Sequence, residues 1–374
     1  MRAVEPDGME LDQDGEDDVS RGVELPTDPE SAAALNASAP TWMPWRSLAL
    51  YGRWWQLETW LRDLVYVELR ARHGAKWADL VKTAIGRQSQ DAAFSHMAGV
   101  DNENPLAYLD YSQILEVVDG SWELFSYALL EKRSWVGRQE ELKRIRHRIG
   151  HVRRPHNDDL NRIEQTLRDL ELGAFRSCAS YNRQSVPDPD DNNPVVKGWI
   201  RGDHVDADRL IGHAEQQYDT RFSLRVSQRP WGEWKGSLDD STGLLWHATF
   251  YVRGRGGIDP RKLWAEVGSI RHLIVHLLVD PSEASFTFSG ADDAAEVADA
   301  IGKAFDSVLY ASRYGSRSFQ ISDPFNNKET EAWTRRAQRI DFRVLSGSLW
   351  NTVDDTTLPI TIFSSGGGVS ETDY

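Results

Sequence analysis

Apolar residues recur at helical spacing through the first half of the chain, which predicts a helical bundle. The segment Ser47–Arg72 contains no proline and no glycine after Gly52. Its apolar positions repeat about every 3.6 residues, as on the buried face of an amphipathic helix. They are Trp54, Leu57, Leu61, Leu64, Val65 and Leu69. Shorter helices are predicted over Trp77–Ile85, Tyr111–Val118 and Ser121–Lys132, with a polar loop over Gln88–Pro105.

Two longer helices should complete the bundle. The first is predicted to begin at Ser134 as its cap and to end at Pro155, because proline cannot continue a helix. Its apolar stripe is Leu142, Ile145, Ile149 and Val152. The second is predicted to begin after Asn157 and to end at Leu172, where Gly173 would stop it.

The pattern changes after a polar stretch over Ser180–Pro194. Alternating apolar and polar positions with β-branched and aromatic residues predict strands; these are Phe222–Ser227, Leu244–Val252 and Ala284–Ser289. Helices are predicted from Pro260 to about Leu278 and over Ala291–Tyr310. Two later segments, Ile340–Leu345 and Leu358–Phe363, could also form strands.

The predicted fold class is therefore an N-terminal all-α helical bundle followed by a C-terminal α+β domain. The predicted boundaries are a tail over 1–42, the helical domain over 43–178, a linker over 179–202, the α+β domain over 203–315 and a mixed extension over 316–374.

Charge is spread unevenly along the 374 residues, whose formal net charge is −15. Residues 1–30 hold 11 Asp and Glu against two Arg and contain no aromatic residue, so the acidic tail is predicted to be disordered. Residues 132–162 hold ten Lys and Arg against four Asp and Glu. This basic stretch is the most basic part of the chain.

The composition also excludes several classes of protein. A single cysteine, Cys178, rules out a disulfide framework and a cysteine-based zinc site, and fits a reducing compartment. There is no apolar run near the ~18 residues of a membrane span and no apolar core of a secretory signal. The expected location is the cytoplasm, with no membrane partner.

The most informative string is Ile145-Arg146-His147-Arg148-Ile149-Gly150-His151, within the basic stretch. RNA can be cut without a metal if its own 2′-hydroxyl attacks the adjacent phosphate. Histidine suits the proton transfer, since its pKa of about 6.5 lies near neutrality. The planar guanidinium of arginine suits the phosphate, because it contacts two oxygens at once. Arg146 and His151 are therefore the candidate catalytic pair.

This string resembles the Arg-polar-x(3)-His signature of the HEPN superfamily of ribonucleases. The resemblance covers about 44–175 and includes Tyr111–Val118, Trp122–Phe125 and the Pro155 turn before a last helix. It implies a HEPN-like helical domain and a metal-independent endoribonuclease without a cofactor, with RNA as its partner. His147 stands where the family usually has asparagine, so it is a third candidate catalytic residue whose role differs from the family pattern.

The resemblance also implies biological context. Such ribonucleases are effectors of toxin–antitoxin and anti-phage abortive-infection systems, so an antitoxin or regulatory partner is expected. They pair their motifs across a homodimer. On a straight helix Arg146 and His151 would lie about 140° apart, so their convergence needs either a helix that loosens at Gly150 or a second chain. The arginines expected to hold the RNA backbone are Arg144, Arg148, Arg153 and Arg154.

Other functions stay open on the sequence. The alternative is a non-catalytic HEPN-like module that binds a nucleotide, a nucleic acid or a protein. A further alternative is a phosphoryl- or nucleotidyl-transferring partner of a two-gene system, although no nucleotidyltransferase motif is visible. The basic helix could simply be a solvated face, or could bind an acidic partner. His147 and His151 could ligate a metal, but no carboxylate or cysteine lies nearby in the sequence at ligand spacing.

The remaining motifs favour structural roles. Trp54, Trp55 and Trp60 are predicted to be core residues rather than base-stacking ones. A second string, Ile270–His276, repeats the Ile-Arg-His pattern, but it is predicted to hold a buried or interface histidine with a hydrogen-bond partner. Cys178 has no catalytic partner in the sequence, and Gly254–Gly257 is predicted to be a hairpin or loop.

Overall fold

The structure of the protein is a computed structural model. The structure describes residues 45–93, 105–213, 220–252 and 257–313, together with residues 33 and 216 and the pair Val344–Leu345. Apart from residue 33, the acidic tail over 1–42 lies outside the described residues. So do the Gly254–Gly256 run, most of 316–374 and the candidate strand Leu358–Phe363.

The N-terminal part is helical, as predicted. Helix α1 spans Trp45–His73, and a 3₁₀ helix over Gly74–Val81 leads into α2, Lys82–Ala92. After a 3₁₀ turn over Pro105–Tyr108 come α3, Tyr111–Gly120, and the short α4, Trp122–Phe125. The two long helices are α5, Lys132–Gly150, and α6, Asp159–Asn182. Leu57, Leu61 and Leu64 of the α1 stripe are fully buried in the helical core.

Several helix ends differ from the prediction. Helix α2 runs to Ala92, into the predicted loop over Gln88–Pro105, and the helix predicted over Ser121–Lys132 ends at Phe125. The cap of α5 is Glu131, not Ser134, and its carboxylate accepts hydrogen bonds from the backbone N–H groups of Arg133 and Ser134. Helix α6 does not end at Leu172, because Gly173 is an interior residue. A Cβ on Gly173 would lie 1.9 Å from the backbone oxygen of Ala128, so glycine here permits a close approach of two segments rather than a helix end.

We therefore expect Gly173→Ala to lower the free energy of unfolding by at least about 1–3 kcal/mol, the usual cost of overpacking. Gly137→Ala is the matched control, since it also lies inside a helix but its added Cβ would meet no atom within 4 Å. It should stabilise the protein by about 0.5–1 kcal/mol. Urea unfolding followed by circular dichroism measures both, and equal effects would contradict this role of Gly173.

Between the two parts lies a short helix inside the predicted linker. This helix, α7, covers Pro194–Trp199, and Asn193 caps it by accepting a hydrogen bond from the N–H of Val195. A π-helical turn follows over Asp208–His213.

The C-terminal part holds a mixed sheet, which confirms the α+β prediction. Its described strands are β1, Thr220–Gln228, β2, Leu244–Val252, β3, Ile274–Val279, β4, Glu283–Ser289, and β5, Val344–Leu345. The strand order is β1-β2-β4-β3-β5, antiparallel except for the parallel β3–β5 pair. Helix α8 covers Pro260–Glu266, a 3₁₀ turn covers Val267–Ile270, and α9 covers Ala294–Arg313.

The helix predicted from Pro260 to Leu278 is wrong in its second half. Strand β3 occupies Ile274–Val279 and lies between two other strands. A central strand is apolar on both faces, so its sequence shows no alternation and can be mistaken for a buried helix. The expected role of His276 is confirmed: it is buried, and its Nδ1 lies 2.9 Å from the Tyr181 hydroxyl.

The helices and the sheet share a polar interface. The Tyr66 hydroxyl donates to the carbonyl of Val275 at 2.7 Å. The Arg70 guanidinium donates to the carbonyls of His272 and Leu273 at 3.0 and 2.8 Å. The Ser289 hydroxyl donates back to the carbonyl of Arg70 at 2.7 Å. The helical bundle therefore packs directly on the sheet, as expected from the single compact unit that begins at Leu48.

A buried ion pair lies at the same interface. The guanidinium of Arg229, just after β1, holds the Glu68 carboxylate of α1 with N–O distances down to 2.5 Å. The Tyr127 hydroxyl and the Trp231 indole N–H donate to the same carboxylate, each at 2.6 Å. Arg229 also donates to the Ser177 carbonyl of α6 at 3.2 Å. One charge pair thus joins α1, α6 and the end of β1.

Candidate active site

The end of α5 decides how Arg146 and His151 are placed. The helix ends at Gly150, five residues before Pro155, and His151 is its C-cap residue with φ −102° and ψ 18°. Val152 then has a φ of +55°, in the left-handed region, which turns the chain away from the helix axis. This turn begins only after His151, whose N–H still bonds to the His147 carbonyl at 3.3 Å, so the separation expected for a straight helix still applies. Gly150 is itself helical, so the loosening that the sequence offered as one route to convergence is not present at this residue.

Arg146 and His151 line the same cleft, which has a volume of about 600 Å³. The opposite wall is the first half of α1. The cleft-lining residues on the α5 side are Arg146, Ile149, Gly150 and His151. Those on α1 are Tyr51, Trp54, Trp55, Glu58, Thr59, Arg62 and Asp63, with Ala107 beside them. One chain therefore contributes both members of the pair to the lining of one cleft.

Arg146 has the properties of an anion-binding group. Its side chain is exposed, and within the described part of the chain it has no carboxylate partner. Most neighbouring arginines of α5 and α6 are paired, such as Arg138 with Asp169 at 3.0 Å and Arg162 with Glu141 at 2.8 Å. An unpaired guanidinium at a cleft can accept a phosphate without losing an existing ion pair.

His147 is placed differently from His151. Its ring is exposed and lies 4.4 Å from the His151 ring, centroid to centroid, but it is not among the residues that line the cleft. The positive charge of His151 lowers the pKa of His147, with smaller contributions from desolvation, Arg153 and Arg146. A positive charge so close to the ring disfavours protonation of His147.

Two carboxylates in the cleft were missed by sequence reasoning. Glu58 is held in place, since it accepts hydrogen bonds from Arg62 and from the indole N–H of Trp54, each at 2.5 Å. Asp63 is partly buried at the wall of the cleft, and this burial raises the pKa of its carboxyl to about 7, against a lowering by Arg62. Helix α1 carries several other charged residues, such as Arg53 and Glu68, so no local pattern singled out Glu58 and Asp63.

The raised pKa of Asp63 has a consequence for stability. A carboxyl that holds its proton more tightly in the folded state stabilises the fold at low pH, and this stability is lost as pH rises from about 4 to about 7. Asparagine does not ionise, so Asp63→Asn lacks this pH dependence. Its free energy of unfolding minus that of wild type should therefore be higher at pH 8 than at pH 5, by about 1–3 kcal/mol for a partly exposed carboxyl. Urea unfolding at the two pH values measures this. The exposed Asp79→Asn is the control, and a pH-independent effect of Asp63→Asn would contradict the raised pKa.

The four predicted backbone-binding arginines separate into two groups. Arg148 forms a bidentate ion pair with Asp159, the first residue of α6, whose carboxylate also accepts the His156 backbone N–H at 2.9 Å. This pair fastens the turn between α5 and α6, and Arg148 does not line the cleft. Arg144, Arg153 and Arg154 are exposed around the end of α5.

The three tryptophans of α1 also differ from one another. Trp54 and Trp60 are buried, as predicted, and Trp54 contacts Tyr111 edge-on at 4.7 Å. Trp55 was predicted to be a core residue, and this is wrong, because its side chain is 65% exposed at the cleft. On a helix, residue 55 points about 100° away from residue 54, so adjacent tryptophans cannot both face the core.

The remaining candidates are a reactive cysteine, a metal site and a membrane-spanning helix. Cys178 is buried, and burial raises the pKa of its thiol to about 12, so it is a poor nucleophile. Across the described ranges, no group of three or more His, Cys, Asp and Glu side chains is arranged to hold a metal ion. Of the helices within those ranges, none has the length and apolar character needed to cross a membrane.

Comparison with known protein families gives a match to the helical part of the chain. A family model described as Swt1-like HEPN matches residues 55–172, a span that begins in α1 and ends inside α6. Neither a curated protein nor a solved structure matches the chain at a significant level. The matched span contains Arg146, His151 and all of α2–α5. Residues 55–172 of this chain are therefore a HEPN superfamily domain.

Proposed function

We propose that this protein is a metal-independent endoribonuclease of the HEPN type. The observation that supports this most directly is the shared cleft of Arg146 and His151, which combines an unpaired guanidinium with an imidazole. Arg146 binds the scissile phosphate and stabilises the charge that builds up on its oxygens. His151 transfers the proton, since imidazole changes its protonation state near neutral pH.

The reaction needs two proton transfers. A base removes the proton of the ribose 2′-hydroxyl, whose oxygen then attacks phosphorus. The bond from phosphorus to the 5′-oxygen breaks, and an acid protonates that leaving oxygen. His151 and Asp63 both line the cleft, and a carboxyl with a pKa near 7 can share this work. The products are a 2′,3′-cyclic phosphate and a 5′-hydroxyl.

The chemical groups at the ends of the RNA fragments test this mechanism. We expect purified protein to cut RNA in the presence of EDTA and to leave 2′,3′-cyclic phosphate and 5′-hydroxyl ends, detected by mass spectrometry of a short oligonucleotide. An oligonucleotide with a 2′-deoxy residue at the cut site should resist, because it lacks the attacking group. Products with 5′-phosphate ends, or complete dependence on Mg²⁺, would contradict the mechanism.

The resemblance to HEPN ribonucleases also bears on the biological role and the assembly of this protein. It supports a cytoplasmic toxin or anti-phage effector, with an antitoxin or other regulatory partner, and with the C-terminal α+β domain over 203–315 in a regulatory or recruiting role. It also supports a homodimer with a composite site. Mixing Arg146→Ala with His151→Ala chains should restore activity if each cleft draws on both chains, and should not restore it if each chain works alone.

A non-catalytic HEPN-like binding module is the competing function. It predicts RNA binding that weakens gradually as Arg144, Arg146, Arg153 and Arg154 are replaced, without any cleavage by the wild type. The end-group experiment separates the two, since a binding module produces no new ends.

A further inference from the structure

Two aromatic side chains stand exposed at the lip of the cleft. Tyr51 is 51% exposed and Trp55 is 65% exposed, and both line the cleft together with Arg146 and His151. They are four residues apart on α1, so they lie on the same face of the helix. Within the ranges that the structure describes, neither ring contacts another aromatic ring or a cation.

These rings are not needed for the core of the domain. The buried face of α1 is already provided by Trp54, Trp60 and the leucine stripe. Trp54 has an aromatic partner in Tyr111 and a hydrogen-bond acceptor in Glu58, whereas Trp55 points away from both. A tryptophan left on the surface beside a functional pair is therefore available for a ligand.

The neighbouring charges indicate what kind of ligand would fit. Arg146 offers an unpaired positive charge for a phosphate, and the two rings offer flat apolar faces at the same cleft. A nucleotide has both complements, since its phosphate suits the guanidinium and its base stacks on aromatic rings. In a duplex the bases are stacked inside the helix and cannot reach such a platform.

We propose that Tyr51 and Trp55 form a stacking platform for an unpaired base next to the scissile phosphate, so that the substrate is single-stranded RNA or a loop rather than a duplex. This assignment of substrate class rests on the proposed ribonuclease function. It makes Trp55 a determinant of substrate binding, while Arg146 and His151 carry out the chemistry.

The test compares binding and cleavage in wild type, Trp55→Ala and Trp55→Phe. Binding is measured by fluorescence anisotropy on a single-stranded oligoribonucleotide whose 2′-hydroxyls are methylated, so that it cannot be cut. The same strand annealed to its complement is the duplex probe. Trp55→Ala should weaken single-strand binding about 5- to 150-fold, the range for loss of one base–aromatic stack. Trp55→Phe should keep most of the affinity, because phenylalanine also stacks.

Trp234→Ala is the matched control, since this tryptophan is 59% exposed but lies outside the cleft. It should bind and cut like wild type. Circular dichroism and light scattering on each variant report the fold and the oligomeric state. If wild type binds single strands in a Trp55-dependent way but cuts no RNA, the ribonuclease function fails and the platform stands. Equal affinity for duplex and single strand, or unchanged binding by Trp55→Ala, would overturn the platform. A loss of single-strand binding that is explained by dissociation of a dimer would also overturn it, because Trp55 would then be a subunit contact.

Discussion

His151→Ala should lower the rate of RNA cleavage by about 10²–10⁴-fold, the usual contribution of one general acid–base group. The side chain is exposed at the end of α5 and supports no part of the core, so the fold should be unaffected. Arg146→Ala should cause a loss of similar size, because the transition-state charge on the phosphate would be left without its cation. Arg146→Lys should also be impaired, since an ammonium group cannot make the bidentate contact.

Two control variants separate chemistry from general charge effects. His156→Ala removes another exposed histidine, in the turn after α5, and outside the cleft. Arg133→Ala removes an exposed arginine from the first turn of the same helix, about 20 Å from Arg146 at 1.5 Å per residue. Both should cleave at close to the wild-type rate in a gel assay of a labelled oligonucleotide. Wild-type cleavage by His151→Ala would show that the site has been assigned to the wrong residue.

Arg229→Met should be the most destabilising single change at the interface of helices and sheet. It would leave the Glu68 carboxylate buried without its cation, and breaking a buried pair in this way costs about 3–5 kcal/mol. The loss should unfold the bundle and the sheet together, because Glu68 belongs to α1 and Arg229 follows β1 directly. Urea unfolding followed by circular dichroism and by tryptophan fluorescence should therefore give one coincident, shifted transition.

The controls for this prediction use a surface pair and a double variant. Arg162→Met breaks the exposed pair with Glu141 and should cost less than about 1 kcal/mol. Combining Glu68→Gln with Arg229→Met removes both charges, so the double variant should be less destabilised than the sum of the single changes. Equal costs for Arg229→Met and Arg162→Met would contradict the structural role of the buried pair.

Helical periodicity determined the N-terminal part of the fold, because the buried face of an amphipathic helix appears in the sequence as apolar residues at helical spacing. The limits of α1 differ from the prediction by two residues at its start and one at its end. The strands β1 and β2 were predicted for the same kind of reason, since each alternates or is rich in β-branched and aromatic residues. The Arg146–His151 string was also visible, because its residue types and its basic surroundings are local properties.

Other features depended on contacts between distant segments. Gly173 has the local sequence of a helix end, and only its close approach to Ala128 explains a glycine inside the helix. Strand β3 could not be separated from a helix, because burial on both faces removes the alternation that marks a strand. Arg148 resembles the arginines beside it in sequence, and only its ion pair with Asp159 distinguishes it.

The sequence by itself thus determined which residue types could carry out the chemistry and in which helix they lie. Only the tertiary structure decided which of them share a cleft, because a cleft has two walls and the second wall, α1, lies more than 80 residues away in the chain. Packing against that wall brings Asp63 and Trp55 beside Arg146 and His151. Burial there, and not any local pattern, raises the pKa of Asp63.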